Sequence, residues 1–248
     1  MVLIGSKTKK GKFGIDQEEM MNAGVHLGHR TSKLHPNMAD FVLGIRNTVH
    51  VIDLEKTIEY LEKALEFIQE LVKNGGNLLF VGTKLPLKEL VKNIAKECGF
   101  PYVTERWLGG TFTNFEAIKK RAKYFRELKE KKEKGEFEKY TKKEKMQLEK
   151  RVQELAEKFE GIQDMEKLPE AVFICDIVKD ALALKEAKKK GIKTIAIVDT
   201  NGDPTLVDYP IPANDDAISS VKYILEKVKE VILSSKLKAQ NSKPQPKA

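Results

Sequence analysis

The chain has 248 residues, 41% hydrophobic and 33% charged, which is enough to bury a sizeable core. No stretch approaches the roughly 20 apolar residues of a membrane helix, and the N-terminus lacks the apolar region of a secretory signal. The two cysteines, Cys98 and Cys175, exclude a disulfide scaffold and a four-cysteine zinc module. The composition therefore predicts a protein of the reducing cytoplasm that has no contact with membranes.

The net charge of +8 is unevenly distributed along the chain. Residues 1–14 contribute +4, residues 119–158 contribute +7 and residues 236–248 contribute +4, whereas the remainder is mildly acidic. Charge concentrated on projecting segments favours contact with a polyanion. A lysine-rich, solvated surface that keeps the protein soluble is the alternative.

Short apolar runs alternate with amphipathic helices along most of the chain. Two apolar runs, 41–45 and 49–52, flank Arg46-Asn47-Thr48 and predict a hairpin. Apolar residues at steps of three and four from Leu54 to Val72 predict a helix. Strands are predicted at 78–81, 100–103, 171–175, 194–198 and 209–212, and further helices at 87–98, 178–190 and 218–232.

Continuous apolar strands that alternate with helices indicate a parallel sheet covered on both faces. We expect an α/β fold with a doubly wound, mostly parallel five-stranded sheet, flavodoxin-like or Rossmann-like. Between the second and third of these strands, two charged helices with a narrow apolar seam predict an inserted antiparallel coiled-coil hairpin. The expected organisation is a basic flexible arm (1–14), a discontinuous α/β domain (15–114 and 161–233), the hairpin (115–160) and a basic disordered tail (234–248).

Parallel sheets bind ligands beyond the carboxyl ends of their strands. Gly82-Thr83-Lys84 follows one predicted strand, but the phosphate-loop and dinucleotide patterns are both absent. The segment is interpreted as a tight turn whose Lys84 is available to a nucleic-acid phosphate. An enzyme or nucleotide-binding module is a competing hypothesis, which rests on this segment and on Asp199 alone.

Asp199-Thr200-Asn201-Gly202-Asp203 begins like a calcium loop, but Pro204 and Pro210 stand where Gly and Glu are required. We predict turn and cap chemistry there, and an N-cap at Asn214. His26 and His29 are spaced i, i+3, which allows a shared metal in principle, although a structural or RNA-facing role is favoured. The prediction is therefore no metal and no cofactor.

The segment Arg106-Trp107-Leu108-Gly109-Gly110 contains the only tryptophan. We predict that Trp107 anchors the core and that the paired glycines form a hinge into the hairpin. Arg106 is a candidate phosphate contact.

Segments of recognisable sequence keep a fixed order and spacing from about residue 17 to about residue 233. They include Ala23-Gly24-Val25-His26-Leu27-Gly28-His29, Ile52-Asp53-Leu54-Glu55-Lys56-Thr57, Phe80-Val81-Gly82-Thr83-Lys84, Arg106-Trp107-Leu108-Gly109-Gly110, Thr141-Lys142-Lys143-Glu144, Leu168-Pro169, Asp199-Thr200-Asn201 and Asn214-Asp215-Asp216. Together they resemble the bacterial-type small-subunit ribosomal protein two family.

The resemblance implies a structural protein that binds small-subunit ribosomal RNA near the junction of head and body. It also implies late assembly, recruitment of the mRNA-binding ribosomal protein one, contact with neighbouring small-subunit proteins, and no enzymatic activity. The free chain is expected to be a cytoplasmic monomer. Carried onto this chain, the resemblance gives as candidate RNA-binding residues His29, Arg30, Lys33, Arg46, Lys84, Arg106, Lys119, Lys120, Arg121, Lys142 and Lys143.

Two segments depart from the family pattern. Where relatives usually read Arg-Trp-Asn-Pro-Lys-Met, this chain reads Lys33-Leu34-His35-Pro36-Asn37-Met38, without the Trp and one charge. After Lys84 the usual Lys and Gln are replaced by Leu85 and Pro86. A protein adaptor that acts through the hairpin is a third hypothesis, but the +7 charge of residues 119–158 disfavours it unless the partner is acidic.

Overall fold

The computed structural model describes residues 11–241, and residues 1–10 and 242–248 lie outside this range. The strands are β1 (Leu27–Arg30), β2 (Val42–Arg46), β3 (Val49–Ile52), β4 (Leu78–Val81), β5 (Tyr102–Val103), β6 (Ala171–Ile174), β7 (Lys193–Val198) and β8 (Tyr209–Pro212). The helices are α1 (Gln17–Asn22), α2 (Leu54–Lys73), α3 (Lys88–Cys98), α4 (Phe115–Glu133), α5 (Lys142–Phe159), α6 (Ala181–Lys190) and α7 (Ile218–Asn241).

The main sheet has five parallel strands in the order β5-β4-β6-β7-β8. Numbered within the sheet, this is the flavodoxin-like order 2-1-3-4-5, and the winding reverses between β4 and β6. The predicted α/β fold with a five-stranded parallel sheet is therefore confirmed. The reversal matters for function because ligand crevices open at the carboxyl ends of the strands on either side of it.

Helices cover both faces of the main sheet because successive side chains of each strand point to opposite sides. In β4, Leu78 and Phe80 pack among residues of α2, α3 and α7, whereas Leu79 and Val81 pack among residues of α4, α5 and α6. All four side chains are fully buried. The continuous apolar strands in the sequence reflect this burial on both faces.

A second sheet of three antiparallel strands, in the order β1-β3-β2, contains the predicted hairpin. Asn47 and Thr48 form its two-residue turn and have φ values of 49° and 64°. Strand β1 was not predicted from the sequence. It is short, its register is irregular between Leu27 and Arg30, and Gly28 interrupts any apolar alternation.

Helices α4 and α5 occupy the predicted insertion between β5 and β6. The predicted apolar seam is buried, including Ile118 and Phe125 of α4 and Val152 and Phe159 of α5. Helix α5 begins with a capping box, in which the side chains of Thr141 and Glu144 each accept from the other's backbone N–H. Supercoiling of this helix pair stays a prediction.

The chain differs from expectation mainly at element boundaries. Helix α7 continues to Asn241, nine residues past its predicted end at 232, so residues 234–241 are helical and not part of a disordered tail. Lys236 contributes by donating to the Cys98 carbonyl and by lying 4.2 Å from the centre of the Phe100 ring. At the other end, residues 12–14 form a 3-10 turn. No helix within residues 11–241 is both long and apolar enough to cross a membrane.

Candidate nucleic-acid interface and the strand-end cluster

Loops at the carboxyl edge of the main sheet bring an ionic group together, which we call the strand-end cluster: His29, Lys84, Asp176, Asp199, Asp215 and Asp216. Lys84 follows β4, and its ammonium lies 2.8 Å from a carboxylate oxygen of each of Asp176, Asp215 and Asp216. Lys84 is largely buried, with 19% of its side chain exposed. The candidate phosphate contact is therefore neutralised inside the protein.

The pKa values in the strand-end cluster follow from burial and from this pairing. Burial opposes the charge of Lys84, but attraction to Asp215 and hydrogen bonds to three carboxylates raise the pKa of the ammonium. Burial, together with the charges of Asp176 and Asp199, raises the pKa of Asp215 to about 7. The hydrogen bond from Lys84 lowers the pKa of the more exposed Asp216.

His29 contacts Asp216, which also pairs with Lys84, and Asp199. Its Nδ1 is 3.2 Å from Asp199 Oδ2, its Nε2 is 3.4 Å from Asp216 Oδ2, and its backbone N–H donates to Thr200 Oγ1 at 2.9 Å. The hydrogen bond to Asp199 raises the pKa of His29 against the effect of burial. His29 is thus held by protein groups and is only partly exposed, so little of it can face RNA.

One imidazole and two carboxylates in the strand-end cluster could hold a divalent cation. Ligand atoms of His29, Asp199 and Asp215 lie within 4.8 Å of one another. His26 does not belong to this group; burial and, secondarily, the charge of Arg46 lower its pKa. The i, i+3 histidine pair considered from the sequence is therefore not part of this group, and the absence of a metal stays a prediction.

The interpretation of residues 199–203 as turn and cap chemistry is confirmed for Asp203. Its Oδ1 accepts from the backbone N–H and hydroxyl of Thr205 and, at 2.9 Å, from the side chain of Asn37. One of the departures from the family pattern therefore has a structural partner, because Asn37 ties its segment to the loop after β7.

Arg30 and Arg46 lie on the three-stranded sheet, and Lys33 lies in the 3-10 turn that follows β1; we call these three candidate residues the sheet patch. Arg30 and Arg46 are both paired with Val49 in the central strand, so their side chains leave the same face about 10 Å apart. All three are exposed. The sequence did not indicate that Arg30 and Arg46 are neighbours, because 15 residues separate them.

The candidate residues of the hairpin do not form one cluster. Lys119, Lys120 and Arg121, the hairpin-base patch, lie near the start of α4, whereas Lys142 and Lys143, the hairpin-tip patch, begin α5. At about 1.5 Å per residue along α4, the two patches are about 20 Å apart. All five side chains are exposed, and Lys119 donates to the Glu166 carbonyl at 2.9 Å.

A family model described as ribosomal protein S2 matches residues 20–235. The chain belongs to the ribosomal protein S2 family.

Curated relatives named small ribosomal subunit protein uS2 resemble the chain over most of its length. The Dictyoglomus thermophilum protein is 46% identical over 219 residues, which cover 88% of this chain and 89% of the relative. The Bdellovibrio bacteriovorus protein is 46% identical over 219 residues, covering 88% and 70%. The Nitratiruptor protein is 41% identical over 222 residues, covering 90% and 83%. The family resemblance stated from the sequence segments is confirmed.

The protein also has a buried carboxylate with a structural role that the sequence did not indicate. Glu186 of α6 is buried and accepts from the backbone N–H groups of Gly110, Phe112 and Thr113 at 2.7, 2.9 and 3.2 Å. These bonds lower the pKa of Glu186 despite its burial. Glu186 thereby fixes the loop that carries the exposed Arg106 into α4.

Trp107 is buried and packs edge-on against Phe112 with ring centres 4.8 Å apart, so its predicted role as a core anchor is confirmed. Arg106, its neighbour, points away from this core and is exposed. The loop held by Glu186 thus places the Arg106 guanidinium at the start of the hairpin, between the hairpin-base patch and the main sheet.

Proposed function

We propose that the protein is a structural component of the small ribosomal subunit and that it binds ribosomal RNA through the sheet patch, Arg106, and the two hairpin patches. The observation that carries the proposal is membership of the ribosomal protein S2 family over residues 20–235. Exposed cations on separate elements support it, because an extended RNA surface meets several of them at once. Lys84 is left out, since three carboxylates already hold its ammonium.

The hairpin-tip patch has a second feature that suits a phosphate. Lys142 and Lys143 are the first residues of α5, where the helix dipole disfavours cations and favours anions. A phosphate there would meet the two ammonium groups and the backbone N–H groups of Lys142 and Lys143, since the capping box already takes up that of Glu144. Binding of the phosphate would then offset the unfavourable interaction between the two ammonium groups and the helix dipole.

Charge at the strand ends also argues against an enzyme that acts on phosphorylated substrates. Three carboxylates, those of Asp176, Asp215 and Asp216, already pair with the Lys84 ammonium, and a fourth, that of Asp199, pairs with His29. A nucleotide would place further negative charge beside them, which costs free energy in a partly buried site. We therefore propose a role without catalysis.

Finer parts of the proposal rest on the family resemblance. We propose that the protein sits near the junction of head and body, joins the subunit late, contacts neighbouring small-subunit proteins in the cytoplasm and helps to recruit ribosomal protein one. The free chain is proposed to be a monomer.

The RNA-binding proposal is tested by reversing charge at the hairpin tip. Lys142→Glu with Lys143→Glu is expected to weaken binding to small subunits stripped of this protein and to reduce the salt slope by about 1 per lysine. The matched control is Lys188→Glu with Lys189→Glu, two exposed neighbours on α6 outside the proposed interface. Equal weakening by both variants, or a large loss of thermal stability in the first, would contradict a direct contact.

A further inference from the structure

The solvent side of α2 carries five glutamates, which we call the acidic stripe: Glu55, Glu59, Glu62, Glu66 and Glu70. Their steps of four, three, four and four residues place them on one side of an α-helix. The other side of α2 is buried in the core through residues such as Leu61 and Leu65. Like charges at this spacing repel each other, so cations along the stripe stabilise it; Lys63 of α2 itself already pairs with Glu59 at 2.7 Å.

Such a cation is present at the middle of the acidic stripe. The Lys12 ammonium lies 2.9 Å from Glu66 Oε1, and the Lys12 backbone N–H donates to Glu62 Oε1. The hydrogen bond to Glu66 raises the pKa of Lys12. The lysine-rich N-terminal segment therefore enters the described structure in contact with these glutamates.

Gly11 makes this close entry possible. A Cβ atom at position 11 would lie 2.6 Å from Glu62 Oε1 and 3.0 Å from Ile58 Cγ2. Any other residue would push the chain away from α2 or displace Glu62. Gly11 thus allows the backbone to contact the acidic stripe directly, at a point that follows Lys7, Lys9 and Lys10 in the sequence.

Lys7, Lys9 and Lys10 stand immediately before Gly11, outside the described residues. An extended chain covers about 3.3 Å per residue, so the four residues from 7 to 10 span about 13 Å. Along the helix, at about 1.5 Å per residue, Glu62 is about 10 Å from Glu55 and about 12 Å from Glu70. The lysines and either half of the acidic stripe therefore match in length and are opposite in charge.

We propose that Lys7, Lys9 and Lys10 continue the contact that Lys12 begins, so that the N-terminal lysine segment docks on the acidic stripe of its own chain and not on RNA. The docking removes the +4 of residues 1–14 from the RNA interface, which leaves that interface to the folded patches.

Zero-length carbodiimide cross-linking of the full chain, free of RNA and at low salt, tests the docking. Cross-links are expected from Lys7, Lys9 or Lys10 to Glu59, Glu62 or Glu70, and they should fade in about 1 M salt because exposed pairs are screened. Glu62→Gln with Glu66→Gln should reduce them several-fold. The control, Glu130→Gln with Glu133→Gln on α4, should leave them unchanged.

Three cross-linking outcomes would overturn the docking. They are attachment of the lysines to acidic residues over the whole surface, no attachment at all, and cross-links that join a ¹⁵N-labelled chain to an unlabelled one. The last outcome would assign the acidic stripe to a second copy. A circular-dichroism melt of each variant checks that it is folded.

Binding to stripped small subunits separates docking from an RNA contact. With Lys7→Glu, Lys9→Glu and Lys10→Glu combined, we expect the affinity to stay within twofold and the salt slope to stay unchanged. If these lysines bound phosphates, the slope would flatten by about 0.9 for each lysine–phosphate pair removed, which would refute the proposal. Failure of the unsubstituted chain to bind would count against the proposed function alone, since the cross-linking needs no subunit.

Discussion

Lys84 shows how the environment of a single residue decides its role. The sequence predicted a tight turn after β4, whereas Gly82 still donates to the Val103 carbonyl of β5, and a Cβ there would lie only 2.8 Å from Val91 Cγ2. It could not predict that Asp176, Asp215 and Asp216 converge on the ammonium, because these residues follow different strands. The charge of Lys84 is thus neutralised by carboxylates that lie far from it in the sequence.

Glu186 gives the first prediction at this scale. Glu186→Gln keeps the shape of the side chain but removes a charge that accepts three backbone N–H bonds, so it should lower the free energy of unfolding by about 2–4 kcal/mol at pH 7. The measurement is urea unfolding followed by circular dichroism. Glu133→Gln, at an exposed site on α4, is the control and should change stability by less than about 0.5 kcal/mol.

The pH dependence of this effect has a definite sign. Because the pKa of Glu186 is lower in the folded chain than its ordinary value of 4.5, its contribution is complete above that value and is lost as the pH falls through the folded pKa. The stability difference between the unsubstituted chain and Glu186→Gln should therefore shrink on acidification. A difference that stays constant down to about pH 3 would contradict this account.

At the scale of elements, the sequence was sufficient where a period was long and unbroken. The predicted limits of β4 and β8 are those of the structure, and α2 and α3 differ from theirs by one residue. The observed boundaries differ from the predicted ones where contacts between distant residues determine where an element begins or ends. Helix α6 starts at Ala181 and not at 178, because Asp176 Oδ1 accepts from the backbone N–H groups of Val178 and Lys179 and holds them in a turn.

The junction between α5 and β5 supplies a prediction for an element contact. A Cβ at Gly161 would lie 2.1 Å from the Tyr102 carbonyl oxygen, so the end of the hairpin touches the edge strand directly. Gly161→Ala should lower the free energy of unfolding by about 1–3 kcal/mol through overpacking. Gly44→Ala is the matched control, since its Cβ would meet no atom within 4 Å. Equal stability of both variants by thermal melting would show that the junction is loose.

At the scale of the whole molecule, the fold places basic and acidic side chains on different parts of the surface. Among the described residues, the proposed RNA contacts lie on the small sheet, the loop at Arg106 and the hairpin, whereas the solvent side of α2 is acidic. The sequence predicted the basic hairpin as one unit. The structure separates its base from its tip by about 20 Å, a distance fixed by the rise of α4, so the two patches meet different parts of a partner.

The family and the parallel α/β sheet could be inferred from the sequence because ordered motifs and alternating elements are local signals, whereas the strand order could not. The strand-end cluster and the Arg30–Arg46 pair could not, because each depends on how distant segments are placed by the sheets. Prediction of the site was therefore weakest where the chemistry is assembled across elements.

The central claim is that the folded patches hold the protein on ribosomal RNA, and co-sedimentation with stripped small subunits across a salt series tests it most directly. About five phosphate contacts on duplex-like RNA predict one-to-one binding with a log–log salt slope near −4. Saturable binding with that steep slope is the expected result. Binding that does not change with salt, or no binding at any salt, would contradict the account.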